Sequence, residues 1–250
     1  MNGDGAPQIA NSTLRYNNRG IEVYNRHGIP QPVVNRCSFY DNSESNYYVA
    51  AWGSWNTTAL DAKNNWWGTD NPNEIGVTVY DYNDNSSAAV VDFSSFLDAE
   101  KGSPVTKASG GETYLIGCTY GNMTLDGEYM VPYYFRIQPG HEVTAMPGTV
   151  IRFMPGAPFV ITAEGTLTAG DAEGSPVIFT SDQTSPASDT WEGIRFYDNS
   201  AGTLDNCVIE YARVGIYMNG DGAPQIANST LRYNNRGIEV YNRHGIPQPV

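Results

Sequence analysis

The 250-residue chain is poor in basic groups. Lysine and arginine together number 14, of which only Lys63, Lys101 and Lys107 are lysines, against 27 acidic residues, and the formal net charge is −13. Proteins bind nucleic acids and anionic membranes through basic patches. The composition therefore argues against a nucleic-acid partner, and the lack of any long apolar run argues against membrane insertion.

Cysteine is also scarce. Cys37, Cys118 and Cys207 are too few for a disulfide framework, and their spacing does not match a zinc site. We therefore expect three free thiols, buried as small apolar side chains.

The chain has no stretch with a sustained helical period. Short β-branched and aromatic runs alternate with clusters of Gly, Pro, Asn and Asp, which predicts short strands joined by tight turns. Equivalent runs begin at Leu204 and Ile226, and at Ile9, Val34 and Leu60, so each start follows the previous one by roughly two dozen positions. A repeat of this length is typical of a parallel β-solenoid, in which each rung stacks about 4.8 Å from the next. We predict an all-β, right-handed parallel β-helix.

A second repeat is much longer. Residues 1–33 recur without change as residues 218–250, so that Met1 returns as Met218 and Val33 as Val250. Self-similarity of this kind indicates tandem units. We call the interval from Met1 to Met218 the long period. One unit is therefore as long as the segment 1–217, and the chain holds one unit plus an overlap.

The alignment of rungs places residues in columns. Positions two apart in a strand point to the same side. We expect three columns to face inward and the residues between them, such as Glu210, Arg232 and Tyr40, to face water. The inward columns are Cys207, Ser229 and Cys37; Ile209, Leu231 and Phe39; and Tyr211 with Tyr233. Asn206 and Asn228 also align, and we expect their amides to stack from rung to rung.

Residues 110–183, the segment 191–194 and the passage NNWWGTDNP at 64–72 carry a family resemblance. They resemble the extracellular right-handed parallel β-helix repeat proteins of bacteria and archaea. The similarity rests on the following motifs: Pro132-Tyr133, Pro147-Gly148-Thr149, Phe153, Gly165-Thr166-Leu167, Pro176–Ser181 and Trp191–Ile194. The resemblance implies the β-helix fold and an extracellular, cell-surface location, and it says little about activity.

The order of these motifs predicts a permuted chain. Residues 1–102 are the C-terminal half of one unit, 103–111 a small polar linker, and 112–250 the N-terminal half of the next unit. The chain is either a window on a long array of near-identical units or a piece that begins inside a unit. FSSFLDAEK at 93–101 is expected to form a short helix, with Ser94 or Ser95 as its N-cap, that shields the end of the solenoid.

Catalytic groups are hard to find, and we assign no catalytic residue. Polysaccharide lyases and hydrolases need paired carboxylates, or an acidic metal cluster with a base, in one groove. Glu210 and Arg232 on neighbouring rungs are the best candidates, with Glu239, Arg236, Arg243 and His244 nearby. Opposite charges one rung apart are more simply a cross-strand ion pair.

Three kinds of binding site remain open. Asp81, Asn83 and Asn85 alternate as the oxygen ligands of calcium loops do, and residues 68–74 have a similar composition, although both stretches also suit simple turns; calcium is the one cofactor that the sequence allows. Tyr47, Tyr48 and Tyr217 are candidates for exposed carbohydrate contacts. Sequons for glycosylation occur at Asn11, Asn56, Asn85, Asn122 and Asn228.

These observations favour a structural role. Near-identical units indicate a long array, so we expect part of an extracellular filament, sheath, stalk or adhesin that forms a head-to-tail homopolymer or tandem array. The alternative is a β-helix that binds or cleaves carbohydrate, including cell-surface carbohydrate. The two copies of the duplicated passage are expected to meet with Asn228 over Asn11 and Leu231 over Leu14.

Overall fold

The computed structural model describes residues 5–24, 30–50, 59–162 and 164–241. The chain divides into two compact units, residues 1–106 (unit 1) and 107–250 (unit 2). Both are built almost entirely from short strands. The prediction of an all-β parallel solenoid is confirmed.

Unit 1 contains the first eleven strands. They are β1 (Gln8–Ala10), β2 (Thr13–Arg15), β3 (Arg19–Tyr24), β4 (Val33–Asn35), β5 (Ser38–Tyr40), β6 (Ser45–Ala50), β7 (Ala59–Asp61), β8 (Val79–Tyr80), β9 (Val90–Asp92), β10 (Phe96–Leu97) and β11 (Pro104–Val105). The parallel pairs are β1 with β4, β2 with β5, β3 with β6, β6 with β8 and β7 with β9, and one antiparallel pair, β10 with β11, follows. The unit thus begins with two complete rungs, β1–β3 and β4–β6.

Unit 2 has three long parallel sheets. Successive strands along the chain fall in different sheets, so three consecutive strands make one rung, and each strand pairs with the strand three places further on. Sheet A contains β12 (Thr113–Tyr114), β15 (Glu128–Val131), β18 (Val150–Phe153), β21 (Val177–Ser181), β24 (Cys207–Glu210) and β27 (Thr230–Arg232). Sheet B contains β13 (Gly117–Cys118), β16 (Phe135–Ile137), β19 (Pro158–Ile161), β22 (Gly193–Phe196), β25 (Val214–Asn219) and β28 (Arg236–Tyr241). Sheet C contains β14 (Met123–Leu125), β17 (Glu142–Ala145), β20 (Thr166–Ala169), β23 (Ala201–Asp205) and β26 (Ala223–Ala227).

The predicted columns set the register of the strands. Ile209 pairs with Leu231, and Leu14, the twin of Leu231, pairs with Phe39. Phe39 and Ile209 are fully buried. Cys37, Cys118 and Cys207 are free and buried, as predicted.

Stacked rings fill the interior of unit 2. Phe153 lies against Trp191 with ring centroids 3.9 Å apart, and Phe159 lies between Phe135 and Phe179 at 5.5 and 6.2 Å. Trp191 Nε1 donates to the carbonyl of Glu210 at 2.9 Å, so its one polar group is satisfied inside the core. Burial of these rings against neighbouring rungs supplies the main stabilising term of the unit.

The tyrosine column is an error of the sequence prediction. Tyr211 and Tyr233 do stack, with centroids 5.3 Å apart, but Tyr233 is 62% exposed. Both have positive φ, 66° and 56°. A left-handed residue ends the strand, so the two-residue alternation cannot be extended to it.

The expected amide stack is also wrong. Asn206 and Asn228 lie in the left-handed region, which Asn tolerates better than most residues. The Nδ2 of Asn206 donates to the carbonyl of Gly174, and that of Asn228 donates to an Asp205 carboxylate oxygen. Each amide therefore bonds to the preceding rung but not to the other amide.

The helix predicted at 93–101 is wrong as well. Residues 96–97 form β10, which pairs with β11 in the segment expected to be a linker. The short helix of unit 1 is α1 (Pro72–Val77), which Asn71 caps through a hydrogen bond from the Asn73 N–H. Proline at the first helical position and Asn before it are both typical N-terminal signals.

Candidate functional site

The duplicated passage forms the outermost rung of each unit at one side. In unit 1, β1–β3 pair with β4–β6, and in unit 2, β26–β28 pair with β23–β25. Among the described residues neither rung pairs on its other side. We call β1–β3 the N-terminal copy rung and β26–β28 the C-terminal copy rung. Within the described residues, each copy rung therefore has a paired rung on one side only, and the two sides are opposite.

Two apolar side chains of the third strand are buried in one copy and exposed in the other. Ile21 and Val23 of β3 are 5% and 0% exposed, whereas their twins in β28, Ile238 and Val240, are both 48% exposed. The difference arises because β6 covers β3, pairing Ile21 with Tyr47 and Val23 with Val49. Identical residues are therefore buried where a described rung pairs over them and exposed where none does.

Backbone hydrogen bonds give the edge a direction. In the N-terminal copy rung, the N–H of Asn11 donates to the Asn35 carbonyl at 3.3 Å and the N–H of Tyr16 to the Asp41 carbonyl at 3.2 Å. Both bonds point to the next rung. Their twins Asn228 and Tyr233 have nearly the same φ angles, so their N–H groups point away from β23–β25.

Two glycines show how closely a following rung approaches. A Cβ added at Gly20 would lie 2.6 Å from the Asn46 carbonyl oxygen and 3.1 Å from the Phe39 ring. At the twin, Gly237, nothing lies within 4 Å. Glycine at this position thus leaves room for the backbone of the following rung. Among the described residues, unit 1 has that rung beside Gly20 and unit 2 has none beside Gly237.

Charged groups repeat the same asymmetry. The Arg19 guanidinium contacts Glu22 and Glu44, each at 2.5 Å, and lies 3.6 Å from the centre of the Tyr48 ring. Arg19 holds the pKa of the Glu44 carboxyl below its ordinary value through their hydrogen bond. In the C-terminal copy, Arg236 contacts Glu239 at 2.6 Å. Glu44 and Tyr48 lie on the rung that follows, so equivalent contacts for Arg236 depend on a neighbour.

A groove of about 260 Å³ lies on the outer face of sheet B. Its lining alternates charges with aromatic rings: Glu192, Arg195, Tyr197, Arg213, Val214, Tyr217, Arg236 and Glu239. Glu192 is held by Arg195 and by Arg213 at 2.8 Å. Burial raises the pKa of the Tyr217 hydroxyl. Tyr217 itself is half-buried among the charged side chains of the groove.

The other two predicted carbohydrate contacts lie in unit 1. Tyr47 is fully buried, so its predicted exposure is wrong: it faces inward as the partner of Ile21. Tyr48, its neighbour on the opposite face, is half-buried between Arg19 and the Tyr80 ring, at 4.6 Å between the two tyrosine centroids. A one-residue difference in phase moves a strand residue to the other face.

Glu210 and Arg232 form the predicted ion pair. Arg232 Nε donates to a Glu210 oxygen at 2.7 Å, and Thr180 donates to the other oxygen at 2.9 Å. The expectation that Glu210 faces water is wrong, because these neighbours cover it and leave it buried. Both carboxylate oxygens are thus occupied by side chains on adjacent rungs.

The candidate calcium loop is an internally bonded turn. One Asp81 carboxylate oxygen accepts from the Asn83 N–H and the other from the Val91 N–H, at 3.0 and 2.8 Å. Asn85 accepts from the Ser87 N–H at 3.0 Å. In the stretch 68–74, Asn71 caps α1. No group of three or more His, Cys, Asp or Glu in the described part of the chain is placed to hold a metal.

The four sequons within the described residues fall in turns and at strand ends. Asn11, Asn122 and Asn228 are exposed and Asn85 is half-buried. Asn122 accepts from the Glu142 N–H, and Asn228 donates to Asp205. Asn56 lies outside the described residues, as do Arg243 and His244. Glycosylation at the others stays a prediction.

Sequence reasoning missed the residues that distinguish the two copies, namely Gly20 with Gly237 and Arg19 with Arg236. The signal was present, since the long period joins the members of each pair and the spacing of the short runs locates the following rung. What the sequence did not show was which copy has that rung as a neighbour.

Comparison of the chain with family models, with curated proteins and with solved structures finds no match. Within the described ranges, no helix is both long and apolar enough to span a membrane.

Proposed function

We propose that the protein is a structural component of an extracellular, repetitive filament, sheath, stalk or adhesin whose β-helix units join end to end. The observation that carries this proposal is the recurrence of residues 1–33 as 218–250 in a chain whose two units are both stacks of parallel β-solenoid rungs. Solenoid rungs bury their inner faces against neighbouring rungs, so tandem units of this kind suit end-to-end assembly.

The charge distribution is compatible with this role. The chain is strongly acidic overall, which favours solubility.

Assembly is tested by sedimentation velocity over a wide concentration range, with negative-stain electron microscopy at the highest concentration. We expect end-to-end oligomers whose size grows with concentration. Ile238→Lys, which places a charge in the apolar column of the C-terminal copy rung, is expected to weaken assembly by about tenfold or more, since a tenfold change corresponds to about 1.4 kcal/mol. Val77→Lys is the matched control, because Val77 is 75% exposed on α1 and belongs to neither copy rung. A chain that stays monomeric at all concentrations, or equal effects of the two substitutions, would contradict the proposal.

A second candidate function rests on the groove of sheet B. Tyr197 and Tyr217 could stack on sugar rings while the arginine and glutamate side chains bond hydroxyl groups, which would make this face a carbohydrate-binding surface. Titration calorimetry with acidic and neutral oligosaccharides tests it. Binding that is lost in Tyr217→Ala and kept in Tyr120→Ala, an exposed tyrosine outside the groove lining, would support it. The absence of binding to any oligosaccharide tested, or equal loss in both variants, would count against it.

A further inference from the structure

The groove of sheet B is built around one tyrosine. Tyr217 lies in the middle of an outward column, paired with Arg195 on the preceding rung and with Glu239 on the following rung. Adjacent strands lie about 4.8 Å apart. A ligand ring placed against Tyr217 therefore has a guanidinium group on one side and a carboxylate on the other.

Two tyrosines of the groove have ring faces that the protein does not use. Tyr217 and Tyr197 are both half-buried and both line the groove. Among the described residues, no aromatic ring or guanidinium group stacks on either of them. A pyranose ring has an apolar face of C–H groups that can pack on such a ring, and hydroxyl groups around its edge.

The carboxylates of the groove retain hydrogen-bond acceptors. Glu192 uses the same oxygen, Oε2, for Arg195 and for Arg213 at 2.8 Å. Glu239 uses its Oε2 for Arg236 at 2.6 Å. Within the described ranges, the other oxygen of each carboxylate has no hydrogen-bonding partner, and each guanidinium has more N–H donors than these contacts use. The rim thus offers both donors and acceptors, as a ligand rich in hydroxyl groups requires.

The charges around the groove are balanced, which favours a neutral ligand. Three arginines line it, and Glu192 and Glu239 face them. The hydrogen bond from Arg213 to Glu192 raises the pKa of Arg213, and Asp189 beyond the lining adds to this effect. An acidic ligand would have to compete with these carboxylates for the guanidinium groups, in a chain whose net charge is −13. A neutral hydroxyl group can bond to either kind of side chain without separating the ion pairs.

Unit 1 contains a related pocket in which the tyrosine is already covered. This pocket is lined by Arg19 and Glu22, the twins of the Arg–Glu pair in β28, and by Glu44. Tyr48 pairs with Glu22. The Arg19 guanidinium lies 3.6 Å from the centre of the Tyr48 ring, and the Tyr80 ring stacks on Tyr48 at 4.6 Å. The pocket of unit 1 therefore lacks the uncovered ring that the groove of sheet B provides.

We propose that the groove of sheet B binds a neutral saccharide of one or two rings, with one ring stacked on Tyr217 between Arg195 and Glu239. The groove volume of about 260 Å³ sets this size, because pockets for drug-sized ligands hold about 300–1,000 Å³. This inference rests on the second candidate function, carbohydrate binding, and specifies its ligand class and its central residue. It also assigns the site to unit 2 and not to the related pocket of unit 1.

Titration calorimetry of the full chain with matched disaccharides tests the ligand class. The probes are cellobiose, galactobiose and mannobiose, each compared with the uronic acid disaccharide of the same configuration and linkage, which has a carboxylate in place of each hydroxymethyl group. We expect at least one neutral disaccharide to bind at one site per chain, about tenfold or more tightly than its acidic counterpart. Tyr217→Ala should abolish this binding and Tyr217→Phe should retain it, because phenylalanine keeps the ring.

The glutamate twins supply a matched pair of variants. Glu239→Gln preserves the shape of the side chain and removes its charge, so that Arg236 loses its ionic partner and becomes available to an acid. The preference for the neutral disaccharide should therefore fall by about tenfold. Glu22→Gln makes the same change in the same local sequence, but in the pocket of unit 1, and should leave both affinities unchanged.

The opposite outcomes overturn the inference in distinguishable ways. An acidic disaccharide that binds as tightly as its neutral counterpart, with binding lost in Tyr217→Ala, would overturn the neutral ligand and leave carbohydrate binding standing. Two sites per chain, or equal effects of Glu239→Gln and Glu22→Gln, would overturn the assignment to sheet B. Absence of binding to every disaccharide would overturn both this inference and the carbohydrate candidate, whereas end-to-end assembly is decided separately by sedimentation.

Discussion

The N-terminal and C-terminal copies have the same sequence but different surroundings. In the N-terminal copy, Ile21, Val23 and Arg19 have the rung β4–β6 as a neighbour, whereas in the C-terminal copy the neighbouring rung of Ile238 and Val240 lies on the other side only. Most rungs of a solenoid have a neighbouring rung on each side. The exposure of a residue therefore depends on which of the two neighbouring rungs is present. In this fold, therefore, a sequence specifies which faces can be buried, and the adjacent rung decides which ones are.

The largest difference is expected for a charge placed at the two valine twins. Val23→Asp puts a carboxylate into a fully buried site and should lower the free energy of unfolding of unit 1 by about 3 kcal/mol or more. Val240→Asp, at a half-exposed site, should change that of unit 2 by no more than about 0.5 kcal/mol. Urea unfolding followed by tryptophan fluorescence measures both, since Trp67 reports on unit 1 and Trp191 on unit 2. Equal effects would show that the two copies have similar surroundings in solution.

Alanine at the glycine twins should give a smaller difference. Gly20→Ala forces a Cβ to within 2.6 Å of the Asn46 carbonyl oxygen and should cost about 1–3 kcal/mol. Gly237→Ala meets no atom within 4 Å and should be neutral or stabilising by about 0.5 kcal/mol in the monomer. Urea unfolding measures both. The same Gly237→Ala variant should weaken assembly in sedimentation, because any rung that pairs there meets the added methyl group, and full assembly would argue against a close rung at this edge.

The arginine twins should differ in their response to pH. Arg19 lowers the pKa of Glu44 in the folded state, so the pair stabilises unit 1 when Glu44 is ionised, above its unfolded pKa. That contribution is lost as pH falls through the lowered folded pKa. Arg19→Gln should therefore reduce stability at neutral pH and much less in strong acid, whereas Arg236→Gln should have the smaller effect at neutral pH. Urea unfolding of both variants under the two conditions measures this, and an Arg19→Gln effect that grows on acidification would contradict it.

The last comparison concerns two thiols that the copies help to bury. Burial raises the pKa of Cys207 from 9.0 to about 12 and also raises the pKa of Cys37. In mildly alkaline buffer the thiolate fraction of Cys207 should be about a thousandfold below that of an ordinary thiol, so alkylation by iodoacetamide should be very slow until the protein unfolds. Peptide mass spectrometry of native and urea-treated protein measures the rates. Rapid modification of Cys207 in the folded chain would show that β27 separates from β24.

Much of the fold was predictable because it follows from local repetition. The spacing of Leu204 and Ile226 indicated the rung length, and the alignment of Ile209 with Leu231 indicated the register that the sheets show. These predictions hold because a parallel ladder requires each rung to present an apolar side chain over the one before it.

The predictions that failed depend on departures from regular repetition. Tyr211 and Tyr233 follow strands and adopt positive φ, so alternation does not reach them. Tyr47 and Tyr48 are adjacent in β6 and therefore point to opposite faces, so the expectation that both are exposed could not hold. The segment 93–101 had helix-like end signals, but Phe96 and Leu97 gain more by pairing with β11 than so short a helix would supply.

The candidate site was half-predictable for the same reason. The duplication at 1–33 and 218–250 directed attention to the two copies, which form β1–β3 and β26–β28 and have different neighbouring rungs among the described residues. The contact of Arg19 with Glu44 and the space at Gly237 depend on three-dimensional register, which no single stretch of sequence contains.

By itself, the sequence determined the long period, the solenoid, its apolar inward columns and the free thiols, because these features follow from the repetition of rungs and units and from composition. Only the tertiary structure decided that Ile21 is buried while Ile238 is exposed, and that Gly20 is crowded while Gly237 is not. The physical reason is that a residue of a β-helix is buried by the rungs on either side of its own. Identical residues therefore differ in exposure when the described residues place the neighbouring rung on one side of the first copy and on the opposite side of the second.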